Sequence, residues 1–177
     1  KDMPDSPYID YALFETGRTL LSLERSGEAA GEFEKLIEQF PNSSYVSKSL
    51  NQLGLIYFNQ LEYEQARGYY TQVVEDYPGS PEADNALQSL ESIFVKQGDV
   101  DGYLAFINDL GRDISNKQQD SLMYVSAENA YASGDCEKAI GTLQRYLESH
   151  PDGNYLLNAN YYLADCYLKL DRPEDAL

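Results

Sequence analysis

The chain has 177 residues, 42% of them hydrophobic, and its 13 Lys and Arg against 30 Asp and Glu give a net charge of −17. That length holds one compact domain or a short repeat array. So acidic a surface repels phosphate backbones and anionic lipid, which excludes nucleic acid and bare membrane as partners and leaves neutral or basic protein surfaces. No stretch approaches the ~18–20 apolar residues of a membrane span, and the opening KDMPDSPYID lacks the apolar run of a signal peptide.

In chain order, the first landmark is a turn at Pro4, PDSPY, which recurs as PNSSY at Pro41, PGSPE at Pro78 and PDGNY at Pro151. Pro4, Pro41 and Pro78 are 37 residues apart, and Pro151 follows 73 later. An alanine keeps the same step: Ala29 to Ala66 and Ala139 to Ala176 are each 37 residues, with Tyr103 in the equivalent place between them. A fixed period of this length marks stacked helical hairpins. Ser6-Pro7 and Ser80-Pro81 place a serine cap before a proline at the first helical position, and Ser43 or Ser44 serves likewise without proline. Gly98 and Gly134 fall in turns between paired helices, with Asp99 and Asp135 set to cap the second helix. Each helix is predicted to run about 13–17 residues.

The expected fold is therefore all-α, a right-handed α-solenoid of antiparallel helix pairs. It forms one array over residues 1–177, with repeats near 5–41, 42–78, 79–114 and 115–151 and a partial one at 152–177. The chain starts in the tail of one repeat and stops just inside a second helix, so both ends read as cut from a longer array. Gly54 on one helix and Ala66 on the next are predicted to let the pair approach closely, with Leu53, Tyr57, Tyr70 and Val73 around the crossing. The third repeat departs from this pattern: Tyr103 replaces the alanine, no proline closes the repeat, and Leu110-Gly111 leads into a polar run, RDISNKQQD. A ring at a close crossing costs ~1–3 kcal/mol if its neighbours stay put, so the helices are expected to stand apart there or the tyrosine to point elsewhere.

These spacings resemble the tetratricopeptide repeat, with its W-x2-L-G-x2-Y, A-x3-F and closing proline. Leu50, Leu53, Gly54, Tyr57, Ala66, Tyr70 and Pro78 follow it apart from the tryptophan. Leu13, Thr16, Gly17, Leu20, Ala29, Phe33 and Pro41 stand in the same frame, as do Ala127, Ala139, Leu143 and Pro151, then Leu163, Ala164, Tyr167 and Ala176. The resemblance implies a non-catalytic scaffold that binds a protein or peptide. The boundaries Phe40-Pro41-Asn42-Ser43 and Tyr77-Pro78-Gly79-Ser80 are similar to those of Gram-negative envelope proteins, outer-membrane assembly lipoproteins among them. That implies a periplasmic or envelope location and a role in envelope assembly, with the cytoplasm as the alternative.

In such a solenoid the first helix of each pair lines the concave face. Helical spacing then gives a stripe of partner-binding residues on each: Tyr11, Phe14 and Arg18; Lys48, Asn51, Leu55 and Phe58; Asn85 and Gln88; Tyr124, Glu128 and Tyr131; Asn158 and Tyr161. Aromatic rings supply contact area and amides bond a peptide backbone. Two rival readings are envelope polysaccharide binding through Tyr8, Tyr11, Tyr45, Tyr124, Tyr155 and Tyr161, and an accessory region of a larger enzyme. No catalytic, cofactor or metal residue is expected: His150 is the sole histidine, and neither a phosphate loop nor a nucleophile elbow occurs. Cys136 and Cys166 lie in adjacent repeats and are read as small buried thiols, a disulfide being the alternative. The last helix is expected to expose Tyr162, Leu163, Cys166, Tyr167 and Leu170 and to self-associate through that end.

Overall fold

The structure is a computed structural model describing residues 8–176; the turn at Pro4 and the Ser6-Pro7 cap lie outside them. Among the described residues there are nine α-helices, a closing 3-10 helix and no strand. The chain divides into two compact units, Lys1–Leu90 and Glu91–Leu177. The first holds α1 (Ile9–Ser22), α2 (Ser26–Gln39), α3 (Val46–Asn59), α4 (Tyr63–Asp76) and the first part of α5 (Pro81–Gln97). The second holds the rest of α5, then α6 (Val100–Asp109), α7 (Asn116–Ala132), α8 (Cys136–Ser149), α9 (Leu156–Lys169) and the 3-10 helix Pro173–Ala176.

In the first unit α1 packs on α2 and α3 on α4, and the three-residue links between partners make each pair antiparallel. Each link closes with a backbone N–H reaching back into the helix it leaves, Arg25 to Leu20 and Glu62 to Tyr57, both at 2.9 Å. This reversal needs a left-handed residue. Glu24 (φ 59°) and Leu61 (φ 63°) supply it at a cost of about 1–2 kcal/mol each. Gly98 (φ 81°) and Gly134 (φ 80°) supply it in the second unit without a Cβ to clash.

Apolar residues three and four apart give each second helix one buried stripe: Ala29, Ala30, Phe33 and Leu36 on α2, and Ala66, Tyr70, Val73 and Val74 on α4. Ala29 and Ala66 are fully enclosed. The glycines, however, seat a ring. A methyl group at Gly17 would stand 2.6 Å from the Phe33 ring, and one at Gly54 would stand 2.6 Å from the Tyr70 ring. The close contact assigned to glycine and alanine is thus made by glycine and the aromatic four residues further on.

The second unit shows the same trade in sizes. At the glycine position stand Glu91 and Ala127, and opposite them, at the ring position, stand the smaller Ile107 and Leu143. Tyr103 does not point elsewhere: it is 5% exposed, its ring lies 5.8 Å from that of Phe94, and its hydroxyl donates to Glu91 at 3.2 Å. Isoleucine at 107 is the smaller partner that accompanies this larger pair. Burial, reinforced by the Glu91 carboxylate, raises the Tyr103 pKa.

Helix α6 has ten residues, shorter than expected, and stops ahead of Gly111 (φ 68°). The polar run after it hides a helix start: Ser115 and Gln118 form a reciprocal capping box on α7. Asp99, Asp135 and Ser80 cap as expected, accepting the N–H of Gly102 (3.0 Å), Lys138 (3.1 Å) and Ala83 (3.1 Å). Ser43 does not cap α3. Its hydroxyl donates to Asp10 at 2.5 Å and accepts the Tyr45 N–H at 3.1 Å.

Candidate functional site

In the first unit the stripe of α1 meets the residue that opens α3. Tyr45 stacks on Phe14 (5.1 Å) and tilts against Tyr11 (5.7 Å). Two cations flank this aromatic group: the Arg18 guanidinium lies 6.0 Å from the Phe14 ring, and the Lys48 ammonium lies 5.4 Å from the Tyr45 ring. Tyr11, Arg18, Lys48 and Leu55 are exposed, and Asn51 and Phe58 are half-buried. Phe14 is 7% exposed, so it supports the face from beneath and does not reach a partner. Asn85 and Gln88 of α5 are exposed. Tyr45 is absent from the stripe read off helical spacing, because it precedes its helix; the PNSSY turn was its signal.

In the second unit most of the predicted stripe is occupied by the chain itself. Tyr124 is 4% exposed and stacks on Tyr155 at 4.3 Å, and Tyr131 stacks on Tyr162 at 4.2 Å. Glu128 accepts from the hydroxyls of Tyr124 (2.8 Å) and Tyr162 (3.2 Å), while Asn158 donates to Tyr124 at 3.3 Å. Tyr131 donates to Asp165 at 2.6 Å, and Lys169 pairs with Asp165 at 2.6 Å. The Lys169 and Tyr131 hydrogen bonds hold the Asp165 carboxyl below its usual range. Tyr124, Glu128, Tyr131 and Asn158 thus join α7 to α9. Buried in place, Tyr124 cannot meet a partner.

The face of α9 predicted to be open is also turned inward: Cys166 (0%) and Tyr167 (5%) are buried, and Tyr162, Leu163 and Leu170 are partly covered. Stacking on Tyr131 and a 2.8 Å hydrogen bond from Gln144 to Tyr167 draw that face onto α7 and α8. The exposed apolar residues are instead Leu157, Tyr161 and Leu168.

Beneath this face lies a clamp. Asp120, 4% exposed, accepts from the Tyr146 hydroxyl (2.6 Å), the Asn154 N–H (3.0 Å) and the Asn154 amide (2.6 Å), and Tyr146 in turn accepts the Tyr155 N–H at 3.1 Å. Burial works against the carboxylate, but these hydrogen bonds outweigh it and hold the Asp120 pKa below its ordinary value. Asp10, Phe14, Ser43 and Tyr45 form a lighter version in the first unit. The recurrence of Asp10, Phe14 and Tyr45 as Asp120, Tyr124 and Tyr155, each 110 residues on, was legible in the sequence.

A family described as YfiO, outer membrane lipoprotein, matches residues 7–99, more than half of the chain. The chain belongs to this family. The YfiO match takes in α1 to α5 and with them the face around Tyr11, Tyr45 and Lys48. A tetratricopeptide repeat family matches residues 124–177. No curated protein matches the chain. A tetratricopeptide repeat protein from Parabacteroides merdae ATCC 43184 is similar over 95% of this chain and 64% of its own, with 16% identity and a TM-score of 0.53. MamA, residues 41 to the end, from Desulfovibrio magneticus RS-1 is similar over 95% of this chain and 89% of its own, with 14% identity and a TM-score of 0.50. Likeness at such identity establishes the tetratricopeptide fold and nothing of the partner. Among the described residues no helix is long and apolar enough to cross a membrane, and no group of three or more His, Cys, Asp and Glu is placed to hold a metal ion.

Proposed function

We propose that the chain is a non-catalytic scaffold that holds a protein or peptide segment against the α1 and α3 face of its first unit, within an assembly of the bacterial envelope. The array is read as tetratricopeptide repeats bounded near residues 41, 78, 114 and 151. One observation carries the reading: in a chain of net charge −17, two exposed cations flank one aromatic group, Lys48 over the Tyr45 ring that Tyr11 tilts against, and Arg18, paired with Glu15, over the Phe14 ring. A partner that places carboxylates between apolar side chains suits this face, since the rings offer apolar area and the cations set its orientation. The envelope setting rests on membership of the YfiO outer membrane lipoprotein family. Polysaccharide binding finds less support, because Tyr124 is buried and stacked on Tyr155, which takes up ring faces a sugar would need.

The test is site-specific photo-crosslinking in envelope extracts of the source bacterium, with the probe at Lys48, at Leu55, or at Lys138 on α8. A discrete partner captured from 48 and 55 but not from 138 is expected. The paired Arg18→Glu and Lys48→Glu variant is expected to weaken binding of that partner about 5–20-fold through lost charge complementarity, while the chain stays folded and its melting temperature falls by only a few degrees as the two ring contacts and the Glu15 ion pair are lost. Equal capture from all three positions would overturn the assignment of the face.

A further inference from the structure

We propose that Cys136 and Cys166 become joined as an intramolecular disulfide when the chain folds in the presence of a thiol-exchange oxidant, stapling the end of α9 to the start of α8. Both are free cysteines and both are enclosed, at 7% and 0% exposure. Cys136 is the first residue of α8, and Cys166 lies in the last turn of α9. The two helices pack together in a register that places those two ends side by side. At one extreme Tyr146 meets Tyr155 at 3.1 Å, and at the other Glu137 meets Arg172 at 3.9 Å. Burial first, and the neighbouring Cys136 thiol second, raise the Cys166 pKa.

The other unit supplies an independent check. The residues 110 positions earlier are Ser26 and Ile56. Both line one cleft of about 400 Å³ together with Leu21, Glu24, Leu55 and Asn59. The fold thus sets this pair of positions around one cleft in the first unit as well, in keeping with the register of α8 on α9. Burial pushes the Cys166 thiol up to about 12. A thiol held protonated exchanges slowly, so oxidation belongs to the folding chain, before the site closes.

The step is a pair of exchanges. The Cys136 thiolate attacks one sulfur of the oxidant, here glutathione disulfide, and the other glutathione leaves as a thiolate. The Cys166 thiolate then attacks the Cys136 sulfur and expels the second glutathione. Two protein thiols and one glutathione disulfide become one protein disulfide and two glutathione thiols, with two electrons passing to the oxidant and both protons to the departing thiolates. The inference does not rest on the binding role proposed above. If the chain works in an oxidising envelope compartment, the linked form is the one present there.

The experiment refolds the full chain from denaturant with either glutathione disulfide or excess reduced thiol. Free thiols are then alkylated under denaturing conditions, and the intact mass and proteolytic peptides are measured. The oxidised sample is expected to take up no alkyl group, to weigh about 2 Da less than the unalkylated reduced chain, and to yield a peptide linking Cys136 to Cys166. Its melting temperature is expected to be about 5–10 °C above that of the reduced chain, because the bond closes a loop of about 30 residues in the unfolded state. Cys166→Ser and Cys136→Ser should each abolish that difference. Two alkyl groups per chain after oxidation, a persistent glutathione adduct, or linked peptides only between different chains would each overturn the proposal.

Discussion

Asp120→Ala is expected to lower the unfolding free energy by about 3–5 kcal/mol, read from urea denaturation of the full chain at neutral pH. The carboxylate receives donors from Tyr146 and from both nitrogens of Asn154 in a site 4% exposed. Truncation leaves those donors facing a void. Asp120→Asn keeps the shape but turns an NH2 toward groups that are themselves donors, so a loss of about 2–3 kcal/mol is expected. Asp10, whose partner is the hydroxyl of Ser43 in a more open setting, should give a smaller loss on substitution.

The same clamp fixes the sign of the pH dependence. Asp120 has a folded pKa below its ordinary value, so its contribution is fully present above the unfolded pKa, near ~3.9, and is lost as pH falls through the folded value. The stability gap between the wild type and Asp120→Asn should therefore shrink as pH is lowered from about 5 toward 2. Tyr146, pushed up to about 12 by burial and by the Asp120 carboxylate, behaves in mirror image. Its contribution is present below the ordinary tyrosine pKa, near ~10, and is lost as pH rises through about 12. A gap that stays constant from neutral to acid pH would show that the negative charge on Asp120 is not what the donors hold.

What could be read from the sequence was whatever repeats at one spacing and acts locally. The Asp99, Asp135 and Ser80 caps and the glycine turns at 98 and 134 need only their own helix ends, and they stand where composition put them. The capping box at Ser115 carries the same kind of local signal, S-x-x-Q, but it is embedded in a polar run that reads as loop. The exposed stripe was legible only by halves, because helical spacing says which residues share a face and not what lies against that face. On α1 and α3 the stripe keeps Tyr11, Arg18, Lys48 and Leu55 open, whereas on α7 the same positions are taken by α9. For α9 itself, the face expected to lie open for want of a following partner helix is covered instead by α7 and α8, whose contacts come from more than twenty residues away in the chain. Of the two outcomes the sequence leaves for Tyr103, the ring does not turn away: it is buried against Phe94 and bonds Glu91.

The contact between glycine and ring yields the second large effect. Gly17→Ala adds a methyl 2.6 Å from the Phe33 ring, and Phe33 is fully buried and packed against Phe14 at 5.8 Å, so the ring has little room to withdraw. Alanine gains about 1 kcal/mol of helix propensity over glycine, which offsets only part of an overpacking cost of about 1–3 kcal/mol. Net destabilisation of about 1–2 kcal/mol is expected. Phe33→Leu alone leaves a gap over Gly17 and should cost about 1–3 kcal/mol. The double variant Gly17→Ala with Phe33→Leu copies a pairing the chain already uses, Ala127 with Leu143, both fully buried. It should unfold within about 1 kcal/mol of the wild type, giving a favourable coupling of at least about 1 kcal/mol in the double-mutant cycle. Simple addition of the two single losses would mean that the opposed sizes of these residues arose independently. Recovery in the double variant would mean that the repeat specifies a sum of two volumes rather than a glycine, as Ala127 with Leu143 already indicates.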